Sequence, residues 1–210
     1  MDFIMNTIFF NQIKLTPPID KIYRRLGYSQ GKTRLTASEK KKMAGYIDEA
    51  VDLIHLKGVA VRIPVANITS AKIVLKGDIT FNSQALAKFL TGSDEILLMG
   101  ATAGSKIMNA IRSNSAGRDI TRAVVFDATA SEIVDGSLSW IMNYINRQLR
   151  RESKQLTRQR FSAGYGDLAL SNQKIICQLL KMKKIGVTLT RNYIMVPEKS
   201  VTALAGIKQI

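Results

Sequence analysis

The residues best suited to chemistry in this chain lie in one short segment, Arg160-Phe-Ser-Ala-Gly-Tyr165, followed by Gly166-Asp167. Arginine offers a carboxylate a planar fork of donors and keeps its charge at any physiological pH. Gly164 has no Cβ, so backbone groups around it can approach a ligand. Tyr165 adds an aromatic face with a hydroxyl. By residue type alone the segment is a loop that carries an arginine, and anion binding is what it could do. Hydrolytic or nucleophilic machinery is thin. The single His, His55, has no spacing to an acid or to the single Cys that implies a dyad. Cys177 sits among Ile175, Ile176 and Leu179 and reads as core. One Cys and one His leave no basis for a disulfide, a thiolate-rich zinc site or a cysteine-ligated cluster. Gly100-Ala-Thr-Ala-Gly104 follows an apolar run but lacks the Walker Gly-Lys-Ser/Thr and the full dinucleotide fingerprint, so it reads as a strand-to-helix turn.

The elements that must hold these residues follow from apolar spacing. A strand over 9–15 ends at Thr16-Pro17-Pro18, a helix over 19–26 stops at Gly27, and a basic loop spans 27–32. Ser38 is placed to cap a helix over 39–55, with Met43, Ile47, Ala50, Val51 and Ile54 at helical spacing. Val59, Val61, Ile63 and Val65 alternate as in a strand. Ile73 and Leu75, then Ile79 and Phe81, alternate across Gly77-Asp78. Asn82 or Ser83 caps a short helix to Leu90, and residues 96–99 form a continuous apolar run typical of a buried strand. A helix opens at 100–104 and runs to 114.

A long helix follows over 119–151, with a core stripe of Val134, Leu138, Ile141, Ile145 and Leu149. Beside it lies a face of small residues, Ala128, Ser131, Asp135 and Ser139, where a backbone or a ligand can come close. A basic linker over 150–158 leads to the Arg160 segment. Ser171 can cap a helix over 172–182, and strands near 187–190, 193–196 and 201–207 close the chain. Strands and helices mix without regular βαβ alternation. That predicts an α+β fold, a largely antiparallel twisted β-sheet flanked by helices. A single domain over 1–210 is expected, its 1–92 part supplying strand and helix elements and its 93–210 part the long helix, the arginine loop and the closing strands.

Composition bounds the rest. The chain has 210 residues, 46 % of them hydrophobic, which is a globular composition with enough length for a sizeable core. Lys and Arg outnumber Asp and Glu by 31 to 16, a net charge of +15. The excess is uneven: +7 over 14–42, −1 over 43–146, and +5 each over 147–160 and 174–191. Such stretches either solvate a surface or attract an anionic partner. The opening MDFIMNTIFF has no basic n-region, and no run of about 18 apolar residues occurs, so neither a secretory signal nor a membrane span is expected. Cysteine usage fits a reducing compartment, and the expected location is cytoplasmic.

Arg160-Phe-Ser-Ala-Gly-Tyr165 resembles the Arg-Pro-Ala-Pro-Gly-Tyr loop of the activation (reactivation) domain of cobalamin-dependent methionine synthase. Thr190-Arg-Asn-Tyr-Ile-Met-Val-Pro197 with Ser200-Val-Thr202 is similar to that family's closing strand pair. Asp127-Ala-Thr-Ala-Ser-Glu-Ile-Val-Asp135 is similar to the start of its long helix. Arg24-Arg-Leu-Gly-Tyr28 and Asp94-Glu-Ile-Leu-Leu-Met-Gly-Ala-Thr-Ala-Gly104 resemble small stand-alone members. The likeness spans most of the chain and is most specific in its last third.

What the resemblance implies is an S-adenosylmethionine-binding module. Arg160 would bind the ligand carboxylate, Ala163 and Gly164 would offer backbone contacts, and Tyr165 matches the loop tyrosine. Asp135 stands where the family has a glutamate that holds the α-amino group, one methylene longer. Phe161 and Ala163 replace the two loop prolines. The family's domain continues past its closing strands with a further strand and helix, so part of its pocket is expected to be either absent here or supplied by a partner. The family's chemistry reduces an inactive Co(II) corrinoid by one electron and methylates it from S-adenosylmethionine. The implied partners are a corrinoid-binding protein or cobalamin-dependent methyltransferase that carries the cobalamin, and a separate electron donor. Two other readings stay open. One is a docking or assembly factor for a corrinoid protein that has lost ligand binding. The other is a basic RNA-binding protein, suggested only by the +15, although no RNP-type aromatic motif or KH-type loop is present, so nucleic acid is not the expected partner.

Overall fold

The centre of the molecule is a strand that changes partners along its length. The computed structural model describes residues 6–28, 33–117 and 119–210. The first five residues and positions 29–32 of the basic loop read over 27–32 lie outside the described residues. In chain order the elements are β1 (Thr7–Phe10), α1 (Ile19–Arg25), α2 (Ala37–Leu53), β2 (Lys57–Ile68), β3 (Lys72–Leu75) and β4 (Ile79–Asn82). Then come α3 (Gln84–Leu90), β5 (Glu95–Thr102), α4 (Ser105–Ala116), α5 (Ile120–Leu149) and β6 (Lys154–Leu156). The chain closes with α6 (Gln173–Leu179), β7 (Thr188–Leu189), β8 (Met195–Val196) and β9 (Ser200–Gln209).

β2 pairs with β1 on one side and β5 on the other over its first half, then with β3 over its second. The handover follows Pro64, which has no N–H to give a ladder, and a register shift between Val65 and Asn67 bends the strand there. The sheet order is β4-β3-β2-β5-β9-β6, with β1 on β2, and every pairing is antiparallel. β7 and β8 form a separate small hairpin. This is the α+β architecture that the spacing predicts.

Alternation along the strands builds two cores. Ala60, Leu97, Met99, Ala101, Ala203, Ala205 and Ile207 face α4 and α5, where they pack with Leu138, Ile141, Ile145 and Leu149 of α5. Val59, Val61, Ile63, Ile96, Leu98 and Leu204 face α3, α6 and the loop after it. The sheet surface under α5 is rich in alanine, so a helix with Leu and Ile in its stripe can pack close. β5 is buried on both faces, which is why its sequence shows a continuous apolar run instead of alternation.

Several boundaries differ from the sequence reading, each for a local reason. β1 ends at Phe10, and Ile13 instead gives its N–H to Leu56 O at 3.0 Å outside any strand. α2 is capped by Thr36, not Ser38, in a reciprocal box with Glu39. Gly100 to Thr102 are still strand, and α4 starts at Ser105. Gly100 faces Met182 so closely that a Cβ would lie 2.6 Å from its Sδ. The basic stretch after α5 is not a free linker: a 3-10 turn over Arg150–Glu152 leads into β6, which pairs with β9. α6 is shorter than read and stops before Lys181, which adopts a left-handed conformation at φ 53°. Ser171 makes no side-chain cap; Ser171 and Asn172 lie in a 3-10 turn that enters α6.

Candidate ligand-binding site

The free edge of β9 organises the site. The segment after β6 runs along that edge. Thr157 N–H donates to Gly206 O at 2.8 Å, and Phe161 and Leu204 exchange backbone bonds of 2.9 and 2.8 Å. Ser162 Oγ donates to Thr202 O at 2.9 Å. The segment then turns on itself: Gly164 N–H reaches Leu168 O at 2.8 Å and Tyr165 N–H reaches Ser162 O at 3.2 Å. Gly164 sits at φ 91° and Gly166 at φ 54°, so glycine at these positions is a requirement of the turn. The far end is anchored by Asp167, whose carboxylate accepts from Ser83 Oγ and from the N–H groups of Gln84 (2.6 Å) and Ala85 (3.2 Å) at the start of α3. The Ser83 hydrogen bond, with the two amides, holds the Asp167 carboxyl below the usual range against a smaller effect of burial.

Strand pairing at one end and the Asp167 clamp at the other project Arg160 toward α5. Its Nη2 lies 3.1 and 3.2 Å from the two carboxylate oxygens of Asp135. Its Nη1 lies 3.3 Å from the Asp135 backbone carbonyl and 3.3 Å from Ser139 Oγ. The small-residue face of α5 is thus where charged side chains descend. Farther along it, Lys199 bonds Ser131 Oγ at 2.9 Å and pairs with Asp127 at 2.7 Å. Arg160 Nε has no partner among the described residues and remains available to an incoming acceptor.

Beside this pair opens a cavity of about 500 Å³, bounded by α5, the Arg160 loop, the start of α6, the β7–β8 hairpin and β9. That size falls in the range of small-molecule sites. Asp135, Arg160, Ala163 and Tyr165 all line it. Gly164 does not: it shapes the turn, and its N–H is already spent on Leu168. Tyr165 is 68 % exposed, so its ring forms part of an open rim. The structure therefore brings four of the five sequence-selected residues together around one space.

It also adds residues that sequence reasoning did not select. Gln173, Tyr193, Glu198 and Thr202 line the same cavity. Gln173 is 3 % exposed and bonds Thr202 Oγ1 at 2.7 Å. Tyr193 stands at φ 61° at the tip of the β7–β8 hairpin, a rare conformation for an aromatic residue. That hairpin is short, two residues per strand, and its approach to the Arg160 loop is a tertiary event with no local signal.

The remaining reactive side chains lie elsewhere. Burial pushes the Cys177 thiol up, against a smaller opposing effect of the Gln173 amide, which leaves it a poor nucleophile. His55 is exposed beside Gly104 and joins no catalytic arrangement among the described residues. Among the described residues no group of three or more His, Cys, Asp or Glu could hold a metal ion. No described helix is long and apolar enough to cross a membrane.

No family model matches the sequence, and no curated protein matches it. Among solved structures, the chain is similar to the MetH reactivation domain bound to AdoHcy. The TM-score is 0.68 at 13 % identity, with 96 % of this chain and 78 % of that chain covered. At that identity the likeness speaks for the fold. The resemblance carried by the arginine loop, the long helix and the closing strands thus holds at the level of architecture, and the chain has the MetH reactivation-domain fold.

Proposed function

We propose that this chain is an S-adenosylmethionine-binding module that supports reductive methylation of a Co(II) corrinoid held by a partner protein. The observation that carries the reading is the Arg160–Asp135 pair beside an open cavity, in a fold of which one solved example is bound to AdoHcy. An α-amino acid carries an ammonium and a carboxylate on one carbon. A guanidinium and a carboxylate side by side are complementary to that zwitterion. In such chemistry a separate electron donor supplies one electron to the partner's Co(II) corrinoid, which takes the methyl group from the sulfonium ligand, and the ligand leaves as a neutral thioether. The protein then needs no acid or base, and its work is to bind and orient.

The test is calorimetry with S-adenosylhomocysteine, followed by incubation with a Co(II) corrinoid protein, a low-potential reductant and S-adenosylmethionine. Binding, and recovery of the methylated corrinoid spectrum only when this chain is present, support the reading. Failure of the ligand to bind with or without the corrinoid protein removes it.

A second reading has its own observation. Arg160 and Asp135 already satisfy each other, as they would in a docking factor that has lost its ligand. Complex formation with a corrinoid protein, unaffected by S-adenosylmethionine, selects that alternative. In both readings the partner is met by a basic surface. Lys174, Lys181, Lys183 and Lys184 frame a groove floored by Met182 and Val187, and none of the four is ion-paired among the described residues. An acidic corrinoid protein suits such a surface.

A further inference from the structure

Gln173 opens α6 as a polar side chain almost wholly buried beside the cavity. Its Nε2 lies 2.7 Å from Thr202 Oγ1 and 3.5 Å from both Cys177 Sγ and Met195 Sδ. A thioether accepts and cannot donate, so the amide nitrogen belongs on that side and the carbonyl oxygen on the other. Both amide hydrogens are thereby committed. Oε1 has no hydrogen-bond partner among the described residues and is not fully buried. Since Gln173 lines the cavity, that oxygen opens into it.

Thr202 supplies the complement. Leu204 directs both its N–H and its C=O to Phe161, and Gly206 does the same toward Thr157. Alternation in an antiparallel strand then points the backbone groups of Thr202 to this same edge, away from β5. Its carbonyl takes the Ser162 hydroxyl. Its N–H takes no acceptor from the loop and faces the cavity wall. Gln173 Oε1, an acceptor, and Thr202 N–H, a donor, therefore belong to the same cavity wall, tied together by the Nε2–Oγ1 bond.

We infer that this pair reads the planar edge of an adenine ring, where an exocyclic amino group adjoins an unprotonated ring nitrogen. The inference rests on the S-adenosyl reading above and deepens it, by naming the group that selects the base. Gln173 Oε1 accepts from the amino group, and Thr202 N–H donates to the ring nitrogen. A hypoxanthine ring places a carbonyl where adenine has its amino group. It sets oxygen against oxygen, and a site built on buried hydrogen-bonding groups rejects such a mismatch strongly.

The test compares S-adenosylhomocysteine with its hypoxanthine counterpart, S-inosylhomocysteine, by calorimetry on the native chain and on Gln173→Met. Methionine matches the length and packs among sulfurs without offering an oxygen acceptor. The native chain is expected to prefer the adenine ligand by at least about tenfold. Gln173→Met, with its folding checked by thermal melting, is expected to bind the adenine ligand about tenfold more weakly and to lose the preference. Equal binding of the two ligands by the native chain overturns the inference and leaves the S-adenosyl reading intact. A folded Gln173→Met that keeps the full preference also overturns it. Binding of neither ligand removes both the inference and the reading it rests on.

Discussion

At the residue scale the candidate site turns on one guanidinium. Arg160 spends its Nη atoms on Asp135 and Ser139, and its Nε has no partner among the described residues. Arg160→Ala removes a charge-assisted contact, and we expect S-adenosylhomocysteine to bind at least about tenfold more weakly by calorimetry. Arg160→Lys should rescue little, because an ammonium lacks the fork. Asp135→Ala removes the carboxylate proposed to face the ligand's ammonium and tests that contact separately from the carboxylate contact. Affinity for the zwitterionic ligand should fall about tenfold, while an analogue without its amino group should bind no worse than to the native chain. Arg160 could be picked out beforehand because its motif is local: Arg, Gly and Tyr at fixed offsets in one loop. Gln173 could not. It follows Ser and Asn at the start of a helix, where glutamine is ordinarily solvated, and only the arrival of Thr202 and Met195 from the far end of the chain buries it.

At the element scale two polar junctions hold the arginine loop in place. One is the Asp167 clamp on α3. Its carboxyl is held below its ordinary value, so its stabilising effect is complete above the unfolded value of about 3.9 and is lost as pH falls through the lower folded value. Asp167→Ala should raise amide hydrogen exchange at Gly164 and Leu168 at neutral pH and remove the acid-induced increase there. The other junction ties β6 to the sheet. Arg62 on β2 bonds Glu95 at 2.8 and 3.0 Å and Glu152 at 2.7 Å, and Lys154 on β6 reaches Glu95 at 2.6 Å. Burial pushes the Glu95 carboxyl up, but hydrogen bonds from Arg62 and Lys154 outweigh it and hold the group below the usual range. Hydrogen bonding from Arg62 likewise lowers Glu152. Both groups therefore stabilise the fold above about pH 4.5 and cease to do so as acid protonates them. Glu95→Gln should cost about 1–2 kcal/mol at pH 7 in denaturant titration and flatten the loss of stability below pH 4.5. None of these junctions is legible in sequence, since Ser83 with Asp167 and Arg62 with Glu152 are far apart in the chain and no short-range spacing relates them.

At the scale of the whole molecule, the basic excess and the ligand site are separable. The lysines of 174–191 frame a groove distinct from the cavity beside Arg160. Reversal of Lys181, Lys183 and Lys184 to Glu should weaken association with an acidic corrinoid protein, and flatten its dependence on salt, while S-adenosylhomocysteine affinity stays within about twofold. The sequence by itself determined most of the elements and the fold class, though not β6, which reads as part of a basic linker. Apolar period distinguishes helix from strand, and the stripe from Val134 to Leu149 is buried as its spacing requires. It also determined the arginine loop, because a turn with glycines at positive φ must be written locally. Tertiary structure alone decided which edge that loop would follow and which buried polar groups would floor the cavity. The physical reason is that strand pairing is non-local. β9 joins β5 across about a hundred residues of chain, and the site exists only once that edge has formed and α5, α6 and the hairpin have closed around it.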